Sequence, residues 1–335
     1  MAATLLDIAK KLNISIATVS RALNDRPGVG SDLRQRVLDT AIELGFVPNM
    51  AARSLVTSRT QTVGFVIHPF DHPFSSDPFY FPILMAIEVE LVTHDYHIML
   101  TSLNSDSPIN LRMVDQSRVD GLILVGPNLN PQFVTSNITS GFPVVLVDNK
   151  PGHRKANTIL CDDGGGAYEA ATHLIGHGHT RIAHIGGPLD WISSRHRYAG
   201  YCAAMRDAGL EANCRAVHKE STTTATGEKA AAELLDSAEP PTAIFAANDS
   251  MALGAARAAA ARGLTIPGDL ALIGFDNISA AEHFSPPLTT IRIFKEQMGK
   301  LAARRILELI NDPGMPPVET SVSTELVLRQ SCGCA

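Results

Sequence analysis

The chain of 335 residues is 45% hydrophobic and 19% charged, which suits a globular protein of two or three packed units. Its formal charge of −6 alone argues against a nucleic-acid partner, yet residues 1–60 carry net +3 and the remainder −9. A basic head on an acidic body is the asymmetry expected of a DNA-binding module on a soluble body. Asp7 and Lys10 interrupt any apolar leader, and no run reaches the length of a membrane span. Five scattered cysteines (Cys161, Cys202, Cys214, Cys332 and Cys334) make no disulfide framework in a chain this long. A reduced, cytoplasmic protein is expected.

In chain order, Thr4 three residues before Asp7 reads as a capping box. Leu5, Ile8, Ala9 and Leu12 give the first helix one apolar face. Asn13-Ile14-Ser15 turns the chain, with Ser15 placed to cap the next helix. That helix buries Val19, Ala22 and Leu23 and turns Ile16, Ala17, Ser20 and Arg21 outward. Pro27-Gly28 breaks the chain. A third helix follows with Leu33, Val37, Leu38, Ala41, Ile42 and Leu44 facing inward, stopped by Gly45. Three short helices make a small core and leave the outward face of the second free to enter a major groove. Residues 49–55 are too short for a stable helix alone, and small Ala51, Ala52 and Ser54 would let two copies pack closely.

From Thr62 onward, strand-like runs fall at 63–67, 97–101, 121–125, 144–147, 158–161, 182–185, 243–246 and 270–275. Helical patterns lie between them at 79–94, 108–117, 164–176, 195–208, 225–235, 251–262 and 295–310. The alternation predicts parallel sheets with helices on both faces, and the units suffice for two sheets divided near residues 148–161. Such sheets bind ligands beyond the carboxyl ends of their strands. There stand His68-Pro69, Gly126-Pro127, Asp148-Asn149, Gly186-Gly187, Asn248-Asp249 and Asp276-Asn277. Asp148, Asn248 and Asp276 offer acceptors suited to a polyhydroxylated ligand, although a carboxylate after a strand also serves as a plain turn or cap.

Several ordered motifs carry a more specific likeness. Leu6-Asp7-Ile8-Ala9, Ala17-Thr18-Val19-Ser20-Arg21-Ala22-Leu23-Asn24, Arg36-Val37-Leu38, Leu44-Gly45-Phe46, Pro48-Asn49 and Ala52-Arg53-Ser54-Leu55 resemble the lactose/galactose repressor (LacI/GalR) family of bacterial transcriptional regulators. The likeness covers the whole head and runs more loosely to about Gly333. It takes in Gly187-Pro188-Leu189, Arg195, Arg197, Ala199-Gly200, Ala247-Asn248-Asp249-Ser250-Met251-Ala252-Leu253-Gly254 and Ile273-Gly274-Phe275-Asp276-Asn277. A helix-turn-helix pattern alone would be a weak signal.

The resemblance implies a small all-α helix-turn-helix head at 1–48, a hinge helix or linker at 49–59 and a periplasmic-binding-protein-like α/β body at 60–335. The body would comprise two doubly wound parallel-sheet subdomains, one about 60–160 plus 290–320, the other about 161–289 plus 321–331. It places Ile16, Ala17 and Arg21 at base edges. Arg21 is able to make a bidentate contact with guanine, and the two apolar residues can meet a thymine methyl. Thr18 and Ser20 fall at phosphate or packing positions. Asn49, Ala52, Arg53 and Leu55 belong to the linker, with Leu55 as a minor-groove wedge or, in the plainer reading, a staple between head and body. Gly30 and Leu33 depart from the family's usual Ser and Thr. Gly30 still suits a helix N-cap, whereas Leu33 cannot donate to a phosphate.

In the body the resemblance makes Arg197, Asn248 and Asp276 effector ligands, with Asp148 behind them. Trp191, the single tryptophan, suits a sugar ring or plain core packing. In the loop 71–81, Ser76, Asp77 and Phe79 are expected to touch the effector, with capping before Pro78 as the alternative for Asp77. The expected protein is a homodimeric, effector-controlled regulator, a repressor in outcome, bound to a pseudo-palindromic operator. The expected effector is a sugar or glycoside. The alternatives are a purine- or other metabolite-responsive regulator, a sugar-binding module without DNA function, and a carbohydrate enzyme.

Other motifs are set aside. His173, His177, His179 and His184 cluster, and His173 and His177 have i, i+4 spacing that suits zinc, but Gly176 and Gly178 end that helix and no cysteine or carboxylate completes the set, so no metal is expected. Cys332-Gly333-Cys334 reads as a disordered end. Gly164-Gly165-Gly166 lacks the dinucleotide and phosphate-loop patterns, and no Gly-x-Ser-x-Gly elbow occurs. No cofactor is expected. With no heptad extension after residues 326–328, a dimer rather than a tetramer is predicted.

Overall fold

The computed structural model describes residues 3–23, 26–46, 59–68, 74–103, 111–127, 129–152 and 155–334. The linker positions Asn49, Ala52, Arg53 and Leu55 lie outside the described residues. The chain forms two compact units, residues 1–60 and 61–335.

The first unit contains α1 (Leu5–Leu12), α2 (Ile16–Leu23) and α3 (Ser31–Glu43). Asp7 accepts the Thr4 N–H at 2.9 Å and the Thr4 hydroxyl at 2.7 Å, closing the start of α1. Ser15 Oγ accepts the Thr18 N–H at 3.0 Å and caps α2. Ile8, Ala9, Val19, Ala22, Val37 and Ala41 form the core. The inward face read for α3 needs correction. Leu38 and Ile42 are exposed, Ile42 at 80%, while Thr40 is buried. Val37, Ala41 and Leu44 recur at helical spacing and take the inner stripe, so Leu38 and Ile42 lie one residue further around the helix. Thr40 tolerates burial because its hydroxyl donates to Arg36 O at 2.8 Å.

The second unit has twelve strands among its described residues. They are β1 (Thr62–Ile67), β2 (His97–Ser102), β3 (Gly121–Val125), β4 (Val144–Val147), β5 (Asn157–Cys161) and β6 (Ile182–Gly186). The remaining six are β7 (Arg215–His218), β8 (Ala243–Ala246), β9 (Ala271–Asp276), β10 (Thr289–Ile293), β11 (Glu319–Val322) and β12 (Thr324–Val327). One sheet has the order β11-β5-β4-β3-β1-β2 and the other β12-β10-β9-β8-β6-β7. All pairings are parallel except β10 with β12. The inner strands are buried on both faces, which explains their unbroken apolar runs.

The chain passes between the sheets three times, at Asp162, Phe294 and Ser323. The crossing expected near residue 290 therefore falls later. Thr289, Thr290 and Ile291 are β-branched and buried, and β10 pairs with β9 in the second sheet. The crossings are stitched together by Asp162 N–H donating to Val322 O at 2.9 Å. Short β7, β10, β11 and β12 and the helix Pro131–Thr139 escape the sequence reading, and the helix read at 108–117 is seen over Arg112–Asp115.

Two close helix contacts position the site. A Cβ at Gly200 would collide with the carbonyl of Gly164, so the helices Asp163–Gly176 and Ile192–Asp207 meet backbone to backbone. A Cβ at Gly254 would collide with the carbonyl of Thr224, which fixes Asp249–Ala260 against Thr224–Leu235 in the same way.

Candidate functional site

In the head, Ile16 (46% exposed), Ala17 and Arg21 present one outward surface of α2, while Thr18 and Ser20 are half-buried beside it. Burying Val19 and Ala22 fixes this outcome, because the helical period then turns 16, 17 and 21 to the other side. Thr18 Oγ1 lies 2.8 Å from Ser15 Oγ, so its hydroxyl is already tied to the cap. Gly30 occupies the N-cap of α3.

In the body a cavity of about 480 Å³ opens between the two sheets, within the roughly 300–1,000 Å³ of small-molecule sites. Its lining follows the carboxyl ends of strands, as open parallel sheets require. His68 and residues 77–80 come after β1, Pro127 after β3 and Asp148 after β4; Trp191, Ser193, Ser194 and Arg197 follow β6. Residues 220–224 follow β7, Asn248 follows β8, and Asp276 ends β9. Thus Asp77, Phe79, Asp148, Trp191, Arg197, Asn248 and Asp276 converge on one cavity, whereas Ser76 is exposed outside it. Ser76 belongs to the short 3₁₀ turn Phe74–Ser76, and the chain enters the cavity wall only one residue later.

Arg197 is the centre of the wall. Its Nε donates to Asp163 Oδ1 at 2.7 Å, Nη1 donates to Ala247 O, and Nη1 stands 3.4 Å from Asp276 Oδ1. Its guanidinium lies 3.9 Å from the centre of the Phe275 ring. Burial opposes its charge, but Asp163 and then Asp276 outweigh that and hold its pKa above the ordinary value. Asp148 accepts the Tyr80 hydroxyl at 2.6 Å. Burial, then repulsion from Asp163, raises Asp148 to about 7 against the pull of Tyr80 and Arg197. Burial raises Asp276 to about 6 despite Arg197 and Lys295.

Asp148 and Asp276 adopt φ of 53° and 102°. Left-handed backbone at a residue other than glycine is costly and concentrates at functional sites. Asp276 Oδ1 is buried and makes no hydrogen bond. Not every member of the wall is equally open. Asn248 Oδ1 caps the helix Asp249–Ala260 through Met251 N, and Nδ2 donates to Thr222 O. Asp77 Oδ1 accepts Phe79 N–H at 3.0 Å and also Tyr80 N–H. Both capping alternatives are thus realised alongside the cavity position.

Sequence reasoning places His68 only as a strand-end residue and Tyr80 only within the loop 71–81, and it misses Ser193, Ser194 and the hydroxyl-rich residues 220–224. It also missed the buried supports Asp163 and Lys295. Lys295 Nζ donates to Asp276 O at 2.6 Å and stands 5.9 Å from the centre of the Phe79 ring. Ser221-Thr222-Thr223-Thr224 was the one local signal, since a hydroxyl cluster after a strand end suits a polar cleft.

Behind the cavity, Asp249 accepts from Ile278 N at 2.8 Å and from Thr290 Oγ1. Burial, then repulsion from Asp276, raises it to about 8 from 3.8. A carboxyl raised in the folded state stabilises below its unfolded pKa, and that contribution is lost as pH rises through the folded value. Stability of the body should therefore fall between about pH 4 and about pH 8. Asp249→Asn keeps both contacts, donating to Thr290 Oγ1 and accepting from Ile278 N. It should flatten the slope by one proton, about 1.4 kcal/mol per pH unit, in urea unfolding across that range. An unchanged slope would mean Asp249 is ionised when folded.

Fold and site together define an α/β ligand-binding body of two sheets joined to a helix-turn-helix head. The head, residues 4–49, matches the family described as bacterial regulatory proteins, lacI family. Residues 171–332 match the periplasmic binding protein-like domain. The chain is 32% identical over 333 residues to the HTH-type transcriptional repressor PurR of Aliivibrio salmonicida (strain LFI1238), covering 98% of both chains. The structure of the lac repressor dimer bound to operator and the anti-inducer ONPF superposes with a TM-score of 0.84 at 25% identity, over 99% of both chains. The complex of the transcriptional regulator CelR with cellobiose gives 0.74 at 31% identity, over 98% of this chain and 99% of that one. The chain belongs to the lacI family of bacterial regulatory proteins and is a DNA-binding transcriptional regulator.

Proposed function

We propose that the protein is a homodimeric repressor whose operator affinity is set by a sugar or glycoside held in the 480 Å³ cavity. The observation that carries the effector class is Asp276 Oδ1, buried without a hydrogen bond in a wall shared with Asp148 and Arg197. Two carboxylates, a guanidinium and the hydroxyls of 221–224 suit the many donors and acceptors of a polyol. Trp191 and Phe79 add apolar faces for a sugar ring. The cellobiose complex of the relative CelR supports this choice.

On the DNA side, Arg21 reads guanine, Ile16 and Ala17 meet apolar base edges, and Thr18 and Ser20 orient the helix on phosphates. Asn49, Ala52, Arg53 and Leu55 form the linker contact, with Leu55 wedged into the minor groove. The protein acts in the cytoplasm as a binding protein rather than an enzyme. Among the described residues, no helix is long and apolar enough to cross a membrane.

A thermal-melting panel of mono- and disaccharides, glycosides and purines tests the reading, because a ligand bound by the native state alone must raise the melting point. The expected result is a shift with a sugar and a change in salt-sensitive duplex binding when that sugar is added. A shift with purines only would replace the effector class, and turnover of a bound sugar would overturn the non-enzymatic reading.

A further inference from the structure

Residues 331–334 are not a loose end. Ser331 Oγ donates to Leu272 O at 2.6 Å and accepts from Thr289 N at 2.8 Å, and Leu272 N donates to Ser331 O at 2.8 Å. Cys332 is 1% exposed. This anchoring carries Cys334 to the last turn of the helix Asp163–Gly176, where His173 and its C-cap His177 share one face. Cys334 Sγ lies 3.2 Å from His173 Nε2 and 3.3 Å from His177 Nε2. One ligand atom from each of the three residues falls within 4.8 Å of the others. Cys332 Sγ stands 3.2 Å from Cys334 Sγ.

Hydrogen bonding is a poor reason for this convergence. One S–H can donate to only one imidazole, and sulfur is a weak acceptor for the other. Two imidazoles at i, i+4 and two thiols at i, i+2 are instead the donor set of a tetrahedral N₂S₂ centre. With metal–nitrogen bonds of about 2.0–2.1 Å and metal–sulfur bonds of about 2.3 Å, the ligand atoms would sit roughly 3.3–3.8 Å apart. The separations of Cys334 Sγ from His173 and His177, 3.2 and 3.3 Å, are within a few tenths of that, whereas Cys332 Sγ, which accepts from Thr289 Oγ1 at 3.1 Å, lies outside the close group of three and must turn toward the histidines to join it. His177 is exposed, so an ion can enter.

We propose that His173, His177 and Cys334, with Cys332 as fourth donor, bind a borderline-soft divalent metal ion, zinc(II) foremost. Binding releases the two thiol protons to solvent and leaves the metal and sulfur oxidation states unchanged. It ties residues 332–334 to a helix whose first residue, Asp163, holds Arg197 in the cavity wall. The site does not depend on which effector, if any, the cavity takes.

The test uses the full chain, reduced, stripped with a chelator and titrated with cobalt(II). One equivalent should bind with thiolate-to-cobalt charge transfer and the intense visible bands of tetrahedral cobalt, and zinc(II) should displace it. Cys334→Ser and the double variant His173→Gln/His177→Gln should weaken binding by more than the ~10–100-fold typical of losing an outer-shell partner. The variant Cys202→Ser/Cys214→Ser serves as the control, because those sulfurs form another close pair, 3.4 Å apart. It should bind cobalt like the unaltered chain. Thermal melts of the metal-free variants establish that each is folded. A reduced, unaltered chain that takes up no stoichiometric cobalt overturns the proposal, as does tetrahedral binding that survives Cys334→Ser.

Discussion

Replacing Arg197 with Met should destabilise the body by about 3–5 kcal/mol, the usual cost of leaving buried charges without their partner. Met fills much of the same volume but abandons Asp163, bonded at 2.7 Å, and Asp276 at 3.4 Å. For a body of this size the melting point should fall by roughly 10 °C. The penalty should also depend on pH. Asp276 titrates at about 6 in the intact protein, and without the guanidinium its carboxyl would be held higher still. The loss should thus be smaller in acid, where the abandoned Asp276 carboxyl is protonated, and larger above neutrality. Adding Asp163→Asn to Arg197→Met should recover part of the loss. A drop below about 1 kcal/mol at every pH would mean that the ion-paired cluster does not hold the cavity wall together.

Asp276→Asn should separate ligand response from DNA binding. Its Oδ1 is the buried acceptor without a hydrogen bond, and a bond to a charged group is worth about 1.5–3 kcal/mol. The sugar that raises the melting point of the intact protein should therefore bind roughly 10–150-fold more weakly. Duplex binding without sugar should be unchanged, because Asp276 lies in the body and the head, residues 1–60, is a separate compact unit. Asn is the chosen replacement because it tolerates the left-handed backbone at φ 102° better than Ala. Full ligand affinity in the variant would remove Asp276 from the site, and loss of duplex binding in the absence of sugar would make its role structural.

Both predictions rest on residues visible in the sequence, but in different ways. Asp148, Asn248 and Asp276 could be singled out because each stands directly after a strand-like run, and the strand order of parallel sheets brings such ends together. Arg197 comes from the resemblance, and Asp77, Phe79 and Trp191 from side-chain chemistry in loops after strand ends; all four reach the same cavity. Ser76 does not, because one residue along a turn is enough to face solvent. Tyr80 falls within the loop 71–81, but only the fold shows its hydroxyl on Asp148, 68 residues away. Lys295 was likewise read as a helix start, although its ammonium holds the Asp276 carbonyl.

By itself the sequence determined the local order: the three head helices, the alternation of strands and helices, and the outward positions Ile16, Ala17 and Arg21, though Ser20, read as outward with them, is half-buried. Each follows from periodicity, capping and turn chemistry within a few residues. Tertiary structure alone decided which short runs became edge and crossing strands, since β10 is defined by its partners β9 and β12. It also decided that Asp163 neutralises Arg197 and that Cys334 meets His173 across 161 positions. Such pairings leave no periodic trace in the chain. They arise when packing closes long loops, and the free energy that holds them is shared among many distant contacts.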